Sequence, residues 1–297
     1  MNILDLIARS SARLAEAGVS FGQGTTNAHD EAAWLTLWRL GLPLDADDDA
    51  LLRAVGADEQ AAVAALVEQR IASRRPAAYL TGEAWLQGVP FTVDERVIVP
   101  RSLIAECLAD GSIDPWLSDR TQRVLDLCTG NGSLAVLAAM AWPEVQVDAA
   151  DLSADALAVA RLNVDRHHLS DRIRLLQGDG LAAVGTTRYD LVLCNPPYVN
   201  ADSMAALPPE FRAEPALALD GNTDGSRDGM DFVRRLLRAL PAHLADEGVL
   251  VLEIGHERAH FEHAFPALQP VWLPTSAGDD QVLLLTREAL RAGGAGG

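Results

Sequence analysis

The chain has 297 residues and a net charge of −18, a length that holds about two domains with ample core. The charge argues against a duplex nucleic acid gripped through its phosphates and suits a basic protein partner. No apolar run is long enough to span a membrane, and the N-terminus is amphipathic at helical spacing without the apolar centre of a signal peptide.

Residues 1–81 read as a small helical domain. Leu4, Ile7, Ala8 and Ala15, then Ala32, Leu35 and Trp38, recur mostly at three- and four-residue steps or their multiples. An acidic loop, Asp45 to Asp49, follows Pro43, and a further helix runs from Glu59 to about Arg74, stopped by Pro76. No nucleophile or metal constellation occurs here, so this part is assigned to recognition rather than catalysis. Residues 82–101 read as a β-hairpin connector, with a turn at Gly88-Val89-Pro90 and strands around Trp85-Leu86, Phe91–Val93 and Arg96–Val99. Beyond Pro100-Arg101, Ser102 is placed to cap a helix through Glu106.

From 102 to 290 the chain alternates strand and helix, the pattern of a doubly wound α/β sheet. Strands are expected at Arg123–Leu127, Val145–Ala150, Arg172–Leu176, Asp190–Asn195 and Val249–Ile254, with a helix at Asp228–Leu244 before the last of these. An antiparallel pair, Val271–Leu273 with Gln281–Thr286, closes the sheet. Residues 291–297, Gly-rich, are expected to be a disordered tail.

The turn Asp126-Leu127-Cys128-Thr129-Gly130-Asn131-Gly132 joins the first of these strands to its helix. Its glycines let backbone approach a ligand at a helix N-terminus, and with Ala135 they also satisfy the dinucleotide pattern G-x-G-x-x-A. Asp126 distinguishes the two: a carboxylate beside the turn repels a pyrophosphate but attracts the ammonium group of a methionine moiety, which favours S-adenosylmethionine over NAD. Asp151, 19 residues after Gly132, is placed to accept from ribose hydroxyls. Asp179, after the third strand, is placed near adenine. The expected cofactor residues are therefore Asp126, Cys128, Thr129, Gly130, Asn131, Gly132, Asp151, Asp179 and Asn195.

Asn195-Pro196-Pro197-Tyr198 ends the fourth strand, because proline has no N–H for a ladder and displaces its predecessor from helical geometry. Acceptors and an aromatic ring then stand at the C-terminal edge of a sheet, where ligands of open α/β sheets bind. Such a corner suits methylation of a planar nitrogen. Two of the acceptors there, from among the Asn195 side chain and the carbonyls of Asn195 and Pro196, suffice to grip both N–H groups of an NH2 whose lone pair is delocalised, and Tyr198 packs on its plane or offers a π-face to a sulfonium.

His256-Glu257-Arg258-Ala259-His260 matches the zinc-protease pattern H-E-x-x-H, but it follows directly on a strand already accounted for by the sheet, and no metal is expected. Cys107, Cys128 and Cys194 are odd in number and lack metal-type spacing, which points to a reduced, cytoplasmic chain.

Taken together, these stretches resemble the HemK-type protein glutamine methyltransferases. Asp126–Gly132 resembles their S-adenosylmethionine motif and Asn195–Tyr198 their NPPY signature. Phe211–Leu219, with Gly221 and Asp224-Gly225, is similar to the loop that follows it. The resemblance implies a Rossmann-like class I S-adenosylmethionine methyltransferase sheet behind the helical domain and hairpin, with Asn195, Pro196 and Tyr198 catalytic. It also implies substrate binding by Asn195, Pro196, Pro197, Tyr198 and Arg101. NPPY is shared with adenine-amino methyltransferases of nucleic acids. The exit Val99-Pro100-Arg101-Ser102-Leu103-Ile104-Ala105-Glu106 is similar to the branch acting on large-subunit ribosomal protein L-three (the PrmB branch). The release-factor branch continues Pro-Arg-Pro-Glu-Thr. Phe21–Thr25, Tyr79–Thr81 and Val93–Val97 point the same way. Gly180 stands where release-factor enzymes carry an aromatic, so adenine packing differs here. The implied partner is L-three, free or in an assembling large subunit. The alternatives are release-factor methylation, nucleic-acid adenine methylation, or a nucleotide-binding scaffold without catalysis.

Overall fold

A computed structural model describes residues 1–293. Helices Ile3–Glu16, Ala28–Arg39 and Ala57–Ser73 pack their apolar faces together around Leu6, Leu14, Ala32 and Val63. Asn2 and Asn27 cap the first two through their side-chain oxygens. The acidic stretch is partly helical, Asp48–Leu51, with Asp47 accepting from the Ala50 N–H.

The hairpin pairs β1 (Glu83–Leu86) with β2 (Val89–Thr92). Its turn is Gln87-Gly88, both at positive φ, a two-residue primed turn that matches strand twist. The expected turn over Gly88-Val89-Pro90 therefore starts one residue late and runs into the strand, which contains Val89 and Pro90. Proline is tolerated there because a two-stranded ribbon leaves one edge of each strand unpaired. Arg96–Val99 forms no strand. The Tyr79 hydroxyl, donating to the Val97 carbonyl, holds this segment onto the helices instead.

The large sheet contains β3 (Arg123–Leu127), β4 (Gln146–Asp151), β5 (Ile173–Gln177), β6 (Tyr189–Cys194), β7 (Leu244–Glu253), β8 (Val271–Thr275) and β9 (Gly278–Thr286), in the order β5-β4-β3-β6-β7-β9-β8. The first five in that order are parallel, and β9 runs antiparallel to both neighbours. This is the doubly wound, Rossmann-like sheet that the resemblance implies. Parallel strands covered on both faces read as continuous apolar runs, and Leu191 to Cys194 are each fully buried. Order reverses between β3 and β6, which opens a crevice at their C-terminal ends.

Three differences from the sequence reading have local causes. The helix before β7 spans only Asp231–Ala239, because Gly229 at φ +76° breaks its start and Pro241 turns its end into a short 3-10 segment. The helix after Pro100 is Ile104–Ala109 with Leu103 at its N-cap position, so Ser102 stands one residue before the cap expected of it, although its hydroxyl still accepts from the Ile104 N–H at 3.3 Å. Arg291 and Ala292 close a final helix capped by Thr286, while residues 294–297 of the expected tail lie outside the described residues.

The helical part has a buried cluster of its own around Leu6, Leu14 and Val63, and a second cluster joins it to the rest. Trp34, Leu35 and Leu66 share one buried cluster with Val93, Val97 and Val99 and with Ala156 and Val159 of helix Ala154–Arg166. No helix among the described residues is long and apolar enough to cross a membrane.

Candidate active site

A cavity opens at the C-terminal ends of β3, β4, β5 and β6. Its wall includes Cys128, Thr129, Gly130 and Asn131 after β3, Asp151 at the end of β4, Asp179 and Gly180 after β5, and Asn195 and Pro197 after β6. The topology therefore gathers most of the residues expected to share a site.

The turn after β3 is wound tightly by Cys128 and Gly130, both at positive φ. Asp151 holds it from the next strand: its Oδ2 accepts from the Gly130 N–H at 2.9 Å and its Oδ1 from the Ser153 N–H at 2.9 Å. Burial pushes the Asp151 carboxyl above its ordinary value. Asp126 lies beneath the turn and does not line the cavity; it is fully buried. Its Oδ2 accepts from the Thr129 hydroxyl and from the Ala135 N–H, and Oδ1 has no partner. Burial pushes this carboxyl up to about 7. Asn131 Nδ2 is a buried donor without a partner in the same turn.

Asn163, buried inside helix Ala154–Arg166, is a support that periodicity does not disclose. It donates to the Asn131 carbonyl at 2.9 Å and exchanges bonds with the backbone of Thr92. Asparagine inside a helix is a weak signal for such a role.

Asn195 is part-exposed in the cavity, and among the described residues no protein group is bonded to its amide. Pro196 is buried beside it and lines nothing; Pro197 does. Tyr198 differs from its expected place. Its ring lies against Gly255, where an added Cβ would fall 2.6 Å from Tyr198 Cε2, and its hydroxyl donates to Glu253 at 3.3 Å. Burial pushes the phenol well up, so it remains a donor. The ring is packed into the corner and does not line the cavity.

Glu253, at the end of β7, was not among the expected residues, though it continues the pattern of an acid at the end of each strand. It also accepts from the Ser102 hydroxyl at 2.6 Å and the Leu103 N–H at 2.8 Å, so one buried carboxylate ties Tyr198 to the hairpin exit.

Arg101 lines the cavity and makes a two-pronged pair with Glu214, at 2.6 and 2.8 Å, while Glu214 also accepts from the Val99 N–H. This anchors the segment after Tyr198, whose Pro215 and Leu217 form the opposite wall. Replacing Arg101 with alanine leaves Glu214 buried without its charge partner. The unfolding free energy then falls by about 3 kcal/mol, measured by denaturant titration. A change below about 0.5 kcal/mol would show that the pair does not hold the segment.

Phe232, also unforeseen, lines the cavity next to Gly180, where a Cβ would stand 3.8 Å from its ring. An aromatic ring therefore reaches this place from the helix rather than from the residue after Asp179. Cys128 and Cys194 sit at neighbouring strand ends, and mutual hydrogen bonding with burial pushes the Cys128 thiol well up. It stays neutral and poorly nucleophilic.

In the H-E-x-x-H stretch, Glu257 Oε1 accepts from Asn200 Nδ2 at 2.7 Å and its Oε2 is bonded to His260 Nδ1 at 2.5 Å. The glutamate is a clamp on the segment after Tyr198. Among the described residues no group of His, Cys, Asp and Glu is arranged to hold a metal.

Comparisons with known proteins place the chain among methyltransferases. The family model for the methyltransferase small domain matches residues 106–219. A Bordetella pertussis protein named ribosomal protein uL3 glutamine methyltransferase is 55% identical over 288 residues, 96% of this chain and 95% of that protein. One of the same name from Burkholderia pseudomallei is 50% identical over 299 residues, 98% of this chain and 96% of that protein. Among solved structures, a methyltransferase from Pyrococcus furiosus is similar at a TM-score of 0.49 and 17% identity, covering 68% of this chain and 90% of its own.

Proposed function

The chain belongs to the family of ribosomal protein uL3 glutamine methyltransferases, and on that premise we propose that it methylates the side-chain amide nitrogen of a glutamine in uL3, with S-adenosylmethionine as methyl donor. The observation that carries the reading is Asn195, at the end of β6, opening onto the same cavity as the turn 128–131 and Asp151.

The turn fits an amino-acid zwitterion. Among the described residues no protein group satisfies the buried donor Asn131 Nδ2 in the turn or the buried acceptor Asp126 Oδ1 beneath it; a ligand carboxylate would satisfy the first, and the ionised second would attract an ammonium held at the turn. Asp151 keeps the turn in shape and has acceptor capacity for hydroxyls. Asp179, Leu152 and Phe232 line the part of the cavity suited to a flat ring. S-adenosylmethionine, when bound, supplies an electrophilic methyl on a sulfonium.

The protein's work is positioning. An amide nitrogen is a poor nucleophile because its lone pair is delocalised. The Asn195 oxygen, which opens on the cavity, accepts from the target N–H and holds the nitrogen face-on to the methyl; the Pro196 carbonyl, buried beside it, would accept from the second N–H only if the substrate displaces the packing over it. Well-oriented reactants gain on the order of 7 kcal/mol. Tyr198, held by Glu253 and Gly255, fixes the corner's shape. The N-methylated amide is acidic enough to lose its extra proton to water, so no general base is assigned. Such a substrate, free or in an assembling subunit, locates the reaction in the cytoplasm.

The reading has a pH signature. Asp126 is protonated below about 7 in the unliganded protein, and a cation at the turn favours its ionised form. Affinity for S-adenosylmethionine therefore rises with pH through that value, with proton release on binding. Titration calorimetry in buffers of different ionisation heat measures both, and Asp126→Asn abolishes the proton release. By the same raised value, the carboxyl's contribution to the unliganded fold is present at low pH and lost as pH rises through about 7. The function is tested by incubating uL3 with the chain and S-adenosylmethionine. A mass increase of one methyl on a single glutamine is expected, and an unmodified uL3 under conditions of full cofactor binding would overturn it.

A further inference from the structure

We propose that a groove between helix Ala28–Arg39 and β1, remote in sequence from the reaction site, docks a basic segment of the protein substrate with one apolar side chain seated beside Trp85. The inference rests on the functional reading above, which makes the substrate a basic ribosomal protein.

The groove is lined by Gly24, Thr25, Trp34, Leu37, Leu44 and Trp85. Trp85 is 42% and Leu44 45% exposed, with Trp38, 40% exposed, on the same helix as Trp34. Large apolar side chains gathered at one place on a surface mark an interaction site more than scattered ones do.

The charge around the groove states what kind of chain fits. Asp30 lines it, and Asp45, Asp48 and Asp49 are exposed just beyond Leu44. Among the described residues none of these four carboxylates lies in an ion pair, although the protein forms many elsewhere. Unpaired acids around an aromatic groove favour arginine- and lysine-bearing segments and repel a second copy of this acidic chain.

The groove is also fixed to the reaction site. Trp34 packs on Gly24. Two residues earlier the Gly22 backbone lies against the Phe211 ring, and Gln23 donates to the Glu210 carbonyl at 3.2 Å. Phe211 in turn carries the Arg101 guanidinium 5.6 Å from its centroid, and Arg101 lines the cavity. A segment seated at Trp85 is thus registered against the corner at Asn195 by packed contacts.

The test compares the full chain with two variants, Trp85→Ala with Leu44→Gln, and Asp45→Asn with Asp48→Asn and Asp49→Asn. Each is assayed on intact uL3 and on a short peptide bearing the methylated glutamine. The expected result is a rise of about ten-fold in KM for uL3 in each variant, with kcat on uL3 and all peptide kinetics unchanged. The acidic-site variant also loses much of the salt dependence of KM. Unchanged KM for uL3 in both variants overturns the inference while leaving the methyltransferase reading intact. So does an equal loss on the peptide, or a change in sedimentation without a change in KM, which would make the groove a self-contact. A wild-type chain that methylates no uL3 overturns the functional reading, and this inference with it.

Discussion

Replacing Asn195 with alanine lowers methyl transfer by about 100- to 1,000-fold, the cost typical of losing one preorganised group that acts at the reacting centre, and leaves S-adenosylmethionine affinity nearly unchanged. The separation follows from where the residue sits. The turn 128–131 and Asp151 form one wall of the cavity, the one proposed to hold the cofactor, and are bonded to one another, with Asp126 and Asn163 behind them. Asn195 takes no part in that network. Its substitution removes an acceptor for the target N–H and leaves β6 intact, since Leu191–Cys194 carry the ladder to β3 and β7. Turnover and cofactor affinity measured on one preparation decide the matter. Equal losses in both would make Asn195 a cofactor ligand, and unchanged turnover would remove it from the mechanism.

The second large effect is expected at Gly229. Segment 219–231 folds back over the chain after Tyr198, with Val199 N–H donating to the Leu219 carbonyl and Gly221 N–H to the Val199 carbonyl. At Gly229, φ is +76° and an added Cβ would fall 2.0 Å from the Tyr198 carbonyl oxygen and 3.1 Å from the Asn200 nitrogen. Both neighbours are backbone, so no rotamer change relieves the clash. Gly229→Ala therefore moves the corner itself: stability falls by about 4 kcal/mol and turnover is lost. Gly225→Ala is the control. It shares a positive φ, +94°, but has nothing within 4 Å, so it carries only the left-handed penalty of about 1 to 2 kcal/mol. Thermal unfolding of the two variants isolates the steric part. Equal melting temperatures would mean that the two segments do not run in contact.

The site was legible in the sequence where local chemistry dictates backbone. Two prolines end β6 at Asn195, glycines wind the turn after β3, and acids stand where strands stop. Strand–helix alternation was enough to bring these ends to one edge of the sheet. What the sequence hid depends on partners far along the chain. The direction of the Tyr198 ring is set by Gly255 and Glu253, and the Arg101–Glu214 pair spans 113 positions. Nothing near Arg101 distinguishes it from an exposed arginine at a hairpin exit. Asp126 was assigned a direct contact with an ammonium because a carboxylate beside a glycine turn has that chemistry. In the fold it holds the turn from beneath, and only Oδ1 remains for such a role. The hairpin turn lies at Gln87-Gly88 rather than Gly88-Val89-Pro90, and Gln87 is not a residue whose side chain signals positive φ.

One similar long-range link joins the helical part to the loop after Tyr198. Arg74 bonds Glu210 at 3.0 Å, and Arg70, buried beside it, bonds Glu31 at 2.9 Å. With Gln23, which donates to the Glu210 carbonyl, these residues tie the N-terminal helices to the loop after Tyr198.

The most direct test is transfer of labelled methyl from S-adenosylmethionine to purified uL3 and to a purified release factor, side by side, with assembling large subunits as a third acceptor. The account predicts label on uL3, free or in the assembling subunit, at one glutamine, and none on the release factor. Label on the release factor alone would contradict it and move the specificity to the other branch of glutamine methyltransferases.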